Sequence, residues 1–84
     1  MKDSRLYLIH IRECIKRIER YTSGGRDAFF ADEKTQDAVL RNLQTMAEST
    51  QLVDDSIKDA HPDVEWRSIS AFRNVLVHEY LGLI

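Results

Sequence analysis

Two short helix-breaking segments divide this 84-residue chain into three stretches with helical periodicity. One break is Gly24-Gly25, and the other is His61-Pro62-Asp63, where the proline ends one helix and is tolerated in the first turn of the next. Three glycines and one proline are too few for a β-rich or disordered chain. The sequence therefore predicts a single all-α domain, folded as an antiparallel helical bundle.

The first stretch predicts a helix from about Asp3, a suitable N-cap, to about Ser23, just before the glycines. Its apolar stripe recurs in steps of three and four residues and consists of Leu8, Ile11, Ile15 and Ile18, widened by Leu6 and Ile9. We interpret the opposite, largely basic face as solvated in preference to an RNA-binding patch. His10 and Cys14 lie near the edge of the stripe and are interpreted as structural, because no nearby ligand set suits a metal.

The second stretch predicts a loop over residues 24–31 and then a helix capped by Asp32 that extends to about Ala60. A break near Ser49-Thr50 is left open as the alternative. The apolar positions form a seam suited to packing along another helix; they are Val39, Leu43, Met46, Thr50, Val53 and Ile57. We interpret Glu48 and Asp54-Asp55 as a solvated acidic face in preference to a metal site, because no histidine is in register.

The third stretch predicts a helix that runs from about Asp63 through Trp66 and into the segment from Arg73 to Tyr80. At about 100° per residue, one side of this helix forms a core-facing stripe of Ile69, Phe72, Leu76, Tyr80 and Leu83. Asn74 and His78 point roughly the other way, among residues that are small or apolar. Such a face is a candidate for a helix–helix contact between two copies of the chain.

The segment from Arg73 to Tyr80 has the residue types of a metal-free ribonuclease. Arg73 is a permanent cation with a planar fork that suits phosphate, and His78 can move protons near neutral pH. Five positions apart on an ideal helix, they diverge by roughly 140° and flank a groove. Two copies meeting at a two-fold axis would bring two arginines and two histidines into one cleft. The alternative for an isolated Arg-x4-His is a salt-bridged arginine and a half-buried histidine on an ordinary helix.

Composition limits the remaining classes of function. The net charge of −2 does not indicate nucleic-acid binding, so any RNA contact must be a local basic site. The lone Cys14 leaves no intramolecular disulfide and is typical of a reducing cytosol, so we expect a cytoplasmic protein. No apolar run approaches the roughly 20 residues that span a membrane. No cofactor motif is present, and none is expected.

At the level of motifs, the chain resembles the HEPN domains and, within them, the HepT-like ribonuclease toxins of prokaryotic toxin–antitoxin pairs. The Arg-x4-His-x-Tyr motif of that group is matched by Arg73, His78 and Tyr80, with Asn74 after the arginine and Trp66 heading the helix. The resemblance implies a helical bundle that forms a homodimer through the motif helices and cleaves RNA without metal. It assigns His78 as general base or acid, Arg73 to the scissile phosphate, and Asn74 to orienting either group.

The resemblance also implies a partner. In toxin–antitoxin systems of type II or type VII-like character, a minimal nucleotidyltransferase antitoxin can transfer AMP to the motif tyrosine, here Tyr80. Family members usually continue for about one helix beyond the motif. Residues 1–84 are therefore expected to form a single HEPN-like domain that lacks a C-terminal helix.

Two other functions are compatible with the sequence. HEPN domains that lose the arginine or the histidine serve as non-catalytic nucleotide- or protein-binding modules, although Arg73, Asn74 and His78 are all retained here. A plain helical dimerisation protein is the second alternative. It predicts that His78→Ala changes only stability.

Overall fold

The computed structural model describes residues 3–75, and every regular element in that range is an α-helix. The helices are α1 (Ser4–Tyr21), α2 (Arg26–Phe30), α3 (Glu33–Gln51), α4 (Asp55–Ala60) and α5 (Trp66–Val75). The predicted all-α architecture is confirmed. His78, Tyr80 and the outer part of the predicted stripe, from Leu76 onward, lie outside the described residues.

The start of α1 is fixed by the predicted N-cap. The Asp3 carboxylate accepts a hydrogen bond from the backbone N–H of Arg5 at 2.9 Å, which satisfies one of the unpaired donors of the first turn. This bond, followed by the hydrogen bond from the Arg5 side chain, lowers the pKa of Asp3. At the other end the helix closes on Thr22, whose hydroxyl donates to the Ile18 carbonyl at 2.8 Å.

The predicted loop over residues 24–31 is wrong, because most of it is the short helix α2. Gly25 has a φ of +94°, a left-handed conformation that redirects the chain and that glycine adopts without strain. A helical turn then forms at once, and the backbone N–H of Phe29 donates to the Gly25 carbonyl at 3.1 Å. The Gln36 amide of α3 donates to the Phe29 and Phe30 carbonyls and so joins α2 to α3.

The predicted N-cap of the next helix is also observed. The Asp32 carboxylate accepts hydrogen bonds from the backbone N–H groups of Lys34 and Thr35, at 3.1 and 3.5 Å, and from the Thr35 hydroxyl at 2.8 Å. The hydroxyl is the main cause of the lowered pKa of Asp32. This capping is local in sequence, which is why it could be predicted.

A continuous helix to Ala60 is wrong; the chain breaks after Gln51 and resumes as α4. The last turn of α3 tightens, because the N–H of Leu52 donates to the Ser49 carbonyl at 3.1 Å, three residues back. The N–H of Asp54 then donates to the Ser4 hydroxyl of α1 at 3.0 Å, with Val53 buried beside it. The break lies slightly beyond Ser49-Thr50, the position left open by the sequence.

The core lies between α1 and α3, which run antiparallel. Three side-chain contacts establish the direction, because residue numbers rise along α1 while they fall along α3: Ser4 with Asp54, His10 with Ser49, and Cys14 with Thr45. The buried apolar residues are Cys14, Val39, Ala47 and Val53. Cys14 is completely buried, whereas the sequence placed it at the edge of the stripe.

The predicted stripe of α1 is only partly covered by the described residues. Ile11 and Ile18 are half-buried, but Leu8 and Ile15 remain 40% and 45% exposed. Leu6 and Ile9, which were predicted to widen the stripe, are also exposed, so the prediction was correct for Ile11 and Ile18 and wrong for the other four positions. Because α1 packs mainly against one helix, α3, a stripe wider than one contact line cannot be buried entirely.

We expect Asp32→Ala to destabilise the fold at neutral pH, lowering the melting temperature by on the order of 5 °C for a domain of this size. The lowered pKa of Asp32 sets the pH dependence. Its stabilising effect is complete above the unfolded-state value of about 3.8 and is lost as the pH falls through the lower folded-state pKa.

Thermal melts of the variant and the wild type at neutral and acidic pH measure both effects. Asp37→Ala is the matched control, because Asp37 is exposed in the same helix and its side chain makes no hydrogen bond among residues 3–75. An equal loss for both variants, or a loss for Asp32→Ala that persists in acid, would contradict the cap assignment.

Candidate functional site

The helix that carries Arg73 and Asn74 begins at Trp66, three residues later than the sequence predicted. Pro62 lies in the turn before α5 rather than in its first helical turn. The indole N–H of Trp66 donates to the His61 carbonyl at 3.0 Å, and the Lys58 ammonium lies 5.9 Å from the indole centroid. Trp66 thus attaches the start of α5 to the end of α4.

Arg73 lies two turns further along α5 and faces α3. Its Nη2 is 4.0 Å from Oε1 of Glu48, and its Nη1 donates to Oδ1 of Asn74 at 3.4 Å. The side chain is 30% exposed. Its Nε is buried and has no acceptor among residues 3–75. The guanidinium is therefore half-covered, with its outer nitrogens directed to two polar neighbours on two helices.

A chain of polar side chains on α3 leads to Arg73. Nη1 of Arg41 donates to Oε1 of Gln44, and Nε2 of Gln44 donates to Oε1 of Glu48, both at 3.1 Å. Residues three and four positions apart are neighbours on a helix surface, so the chain follows from the backbone geometry. We call Arg41, Gln44 and Glu48 the α3 ladder; it ends at the carboxylate that faces Arg73.

This role of Glu48 was not predicted from the sequence, where Glu48 was interpreted as part of a solvated acidic face with Asp54-Asp55. The structure separates them, because Glu48 faces α5 whereas Asp54 and Asp55 lie at the break and the start of α4. One signal was available: Gln44 and Glu48 are spaced to support each other, and an arginine on a packed helix requires a counter-charge. No sequence pattern indicated that α3 and α5 were the helices in contact.

The structure brings together only part of the predicted site. Arg73 and Asn74 are adjacent and hydrogen-bonded. His78 and Tyr80 lie outside the described residues, so their positions relative to Arg73 remain predictions. The predicted core-facing stripe is only partly correct, because Ile69 is half-buried but Phe72 is 42% exposed. Among the described helices α5 packs chiefly on α3, which leaves this aromatic side chain uncovered.

An open cleft of about 660 Å³ lies between α4 and the start of α5. Its charged lining residues are Asp55, Lys58, Asp59, Glu65 and Arg67. Three carboxylates against two cations give this cleft no preference for a polyanion. Residues 3–75 hold no cluster of three or more side chains that could bind a metal ion. None of the described helices combines the length and apolarity that a membrane span requires.

Comparison with known proteins identifies the family. A family model described as ribonuclease HepT-like matches residues 11–83. A relative from Thermococcus cleftensis named "probable ribonuclease HepT" is 36% identical over 78 residues, which cover 92% of this chain and 71% of the relative. A "putative RNase" from Methanocaldococcus jannaschii is 34% identical, over 98% of this chain and 69% of the relative.

A second protein of Methanocaldococcus jannaschii, named "gamma-glutamylcyclotransferase and putative RNase", is 31% identical over 98% of this chain. The matched segment is only 37% of that protein's length. No solved structure matches the chain significantly. The family match includes the whole of α5 and continues past the described residues, through the positions of His78 and Tyr80. The chain therefore belongs to the HepT-like ribonuclease family.

Proposed function

We propose that this protein is a metal-independent endoribonuclease and acts as the toxin of a prokaryotic toxin–antitoxin pair. The observation that carries the proposal is that the Arg73 side chain is partly exposed and makes no short ion pair with Glu48. Its guanidinium is half-exposed on the motif helix and has only a 4.0 Å approach to a carboxylate, so it keeps donors for an incoming anion. Family membership supplies the reaction class, because the related proteins are named as ribonucleases.

In the proposed reaction the substrate provides its own nucleophile. His78 removes the proton of the ribose 2′-OH or delivers a proton to the leaving 5′-oxygen, and solvent exchanges the other proton. The 2′-O–P bond forms as the P–O5′ bond breaks, which leaves a cyclic phosphate and a 5′-hydroxyl. No water is consumed. DNA is excluded as a substrate because it lacks the 2′-hydroxyl.

Arg73 would neutralise the charge that develops on the phosphate oxygens. A guanidinium matches two phosphate oxygens with two parallel N–H donors and remains charged at every working pH. Donors that are in place before the reaction stabilise the transition state without a reorganisation cost. Asn74, already bonded to Arg73, would orient the guanidinium or His78 through its amide.

A homodimer would complete the site. Five positions separate Arg73 from His78, a spacing that directs them about 140° apart on an ideal helix. Two motif helices around a two-fold axis would place the arginine of one subunit near the histidine of the other. The exposed apolar side chains of Phe72 and Val75 on α5 support a helix–helix contact there.

The proposed antitoxin is a minimal nucleotidyltransferase that modifies Tyr80. The phenol oxygen would bond to the α-phosphorus of ATP, and pyrophosphate would leave. An AMP group beside the cleft adds negative phosphate and bulk, and both oppose RNA binding. This step would therefore neutralise the nuclease without unfolding it.

We expect the purified protein to cleave single-stranded RNA in excess EDTA, and His78→Ala and Arg73→Ala each to reduce the rate by at least about 100-fold. Gel analysis of a labelled oligonucleotide, with end-group determination, measures the rate and the products. His61→Ala and Arg67→Ala are the matched controls, because both residues are exposed in residues 3–75 and lie outside the proposed site.

A folded wild-type protein that leaves RNA intact would support the non-catalytic binding module instead. If His78→Ala altered only the melting temperature, the plain dimerisation protein would be favoured. Equal cleavage by the wild type and His78→Ala would indicate a contaminating nuclease.

The cleft shared by the two subunits of the proposed homodimer leads to a second prediction, which single variants cannot test. When Arg73→Ala and His78→Ala are mixed and allowed to exchange subunits, each mixed dimer has one site with an intact arginine and an intact histidine. We expect activity to return to about one quarter of the wild type, because half of the dimers are mixed and each carries one of two sites. No recovery after confirmed subunit exchange would contradict the shared cleft.

A further inference from the structure

We infer that Glu48 is a positioning residue, whose carboxylate sets the orientation of the Arg73 guanidinium for the scissile phosphate. The inference rests on the proposed function, in which Arg73 binds that phosphate. Neither the motif nor the family match assigns a role to Glu48, which lies on α3, 25 positions before Arg73. The inference comes from the contacts between the two helices.

The orientation of the Arg73 guanidinium depends on its polar neighbours. An arginine side chain has several rotatable bonds, so a helix backbone alone does not fix its guanidinium. Asn74 contacts Nη1, but it is the next residue on the same helix. Glu48 contacts Nη2 from α3. Glu48 is therefore the polar contact, among the described residues, that relates the guanidinium to the rest of the bundle.

A positioning role for Glu48 is supported by the burial of the Arg73 Nε. Its N–H has no acceptor within residues 3–75, an arrangement that costs free energy relative to a rotamer in which water reaches the group. Arg73 adopts the buried arrangement all the same. The two ends of the fork are the parts that have polar neighbours, which indicates that contacts at Nη1 and Nη2 select this orientation.

Glu48 is itself held in place. Gln44 donates to the same oxygen, Oε1, that faces Arg73, and Arg41 donates to Gln44. The α3 ladder thus fixes the carboxylate through side chains of one helix. A group that positions another must be more ordered than the group it positions, and this support provides the order.

The long separation between Oε1 of Glu48 and Nη2 of Arg73 is consistent with a positioning role for Glu48. At 4.0 Å Glu48 attracts the guanidinium without taking a short hydrogen bond from Nη2. Nη1 uses one N–H for Asn74, so the remaining outer N–H groups are available for phosphate. In a short bidentate ion pair, Glu48 would have occupied the parallel N–H donors that phosphate requires.

The carboxylate also has an opposing effect, because its negative charge repels the phosphate. Glu48 is 42% exposed, so water screens this repulsion but does not abolish it. Removing the charge should therefore favour binding, while removing the side chain should disturb orientation. The change in binding appears in KM and the change in orientation appears in kcat. The two constants together therefore distinguish a positioning role from a stabilising ion pair.

The experiment compares Glu48→Ala and Glu48→Gln with the wild type in steady-state cleavage of an RNA oligonucleotide. Glu65→Ala is the matched control, because it removes an exposed carboxylate at the start of α5. We expect Glu48→Ala to lower kcat by about 10- to 100-fold with KM unchanged or lower, since misplaced groups lose rate out of proportion to binding. Glu48→Gln keeps an acceptor oxygen but loses the charge that attracts the guanidinium across 4.0 Å, so its kcat should fall by less than in Glu48→Ala, with a lower KM at low salt.

Melting temperatures are measured on the same samples. Because exposed ion pairs contribute little to stability, we expect the Glu48 variants to melt within a few degrees of the wild type. A wild-type kcat in Glu48→Ala would overturn the inference. A fall in kcat matched by a loss of melting temperature well beyond a few degrees would also overturn it, because Glu48 would then act as a stabilising ion pair.

A second readout separates failure of this inference from failure of the proposed function. Proton–nitrogen NMR observes the Arg73 Nε–H directly, and Arg73→Lys assigns the signal by its loss. We expect a sharp signal in the wild type and in Glu48→Gln, and a broadened or rapidly exchanging one in Glu48→Ala. An unchanged signal in Glu48→Ala would overturn the inference whether or not the protein cleaves RNA. Altered mobility in a protein without cleavage would reject the ribonuclease proposal alone.

Discussion

The antiparallel contact between α1 and α3 is the interaction on which the rest of the structure depends. Cys14 is completely buried there, and such a small side chain lets two helices approach closely. The His10–Ser49 hydrogen bond lies in the same interface. The most extensive of the other described contacts between helices are those of α2 and α5 with α3, so the positions of α2 and α5 depend on how α1 places α3.

This core is small, and its size has consequences at the surface. A short chain buries a limited fraction of its apolar area, and here Leu6, Leu8, Ile15 and Phe72 remain substantially exposed. On α5, the exposed Phe72 is a side chain that the proposed homodimer would cover. The exposed positions of α1 have no such assignment, and the described residues give no account of them.

The features that were predicted correctly depend on residues close together in the sequence, whereas those predicted wrongly depend on residues far apart in it. Asp3 and Asp32 cap helices through bonds to residues two and three positions away, and both were predicted. The break after Gln51 depends on Ser4, 50 positions distant from Asp54, and the long-helix prediction failed there. Glu48 was misinterpreted for the same reason: its counter-charge, Arg73, lies on another helix, and periodicity within one helix does not specify a partner. The positions of His78 and Tyr80 remain predictions.

The two surfaces of α3 couple the core to the candidate site. Ala47 and Glu48 are consecutive, so about 100° of helix rotation separates the side chain buried in the core from the carboxylate facing Arg73. A rotation of α3 that eased packing in the core would carry the α3 ladder with it. Because Arg73 reaches Glu48 only at 4.0 Å, a shift of about 1 Å would either close the pair into a direct ion pair or separate it. The burial of Ala47 therefore constrains how closely Glu48 can approach Arg73.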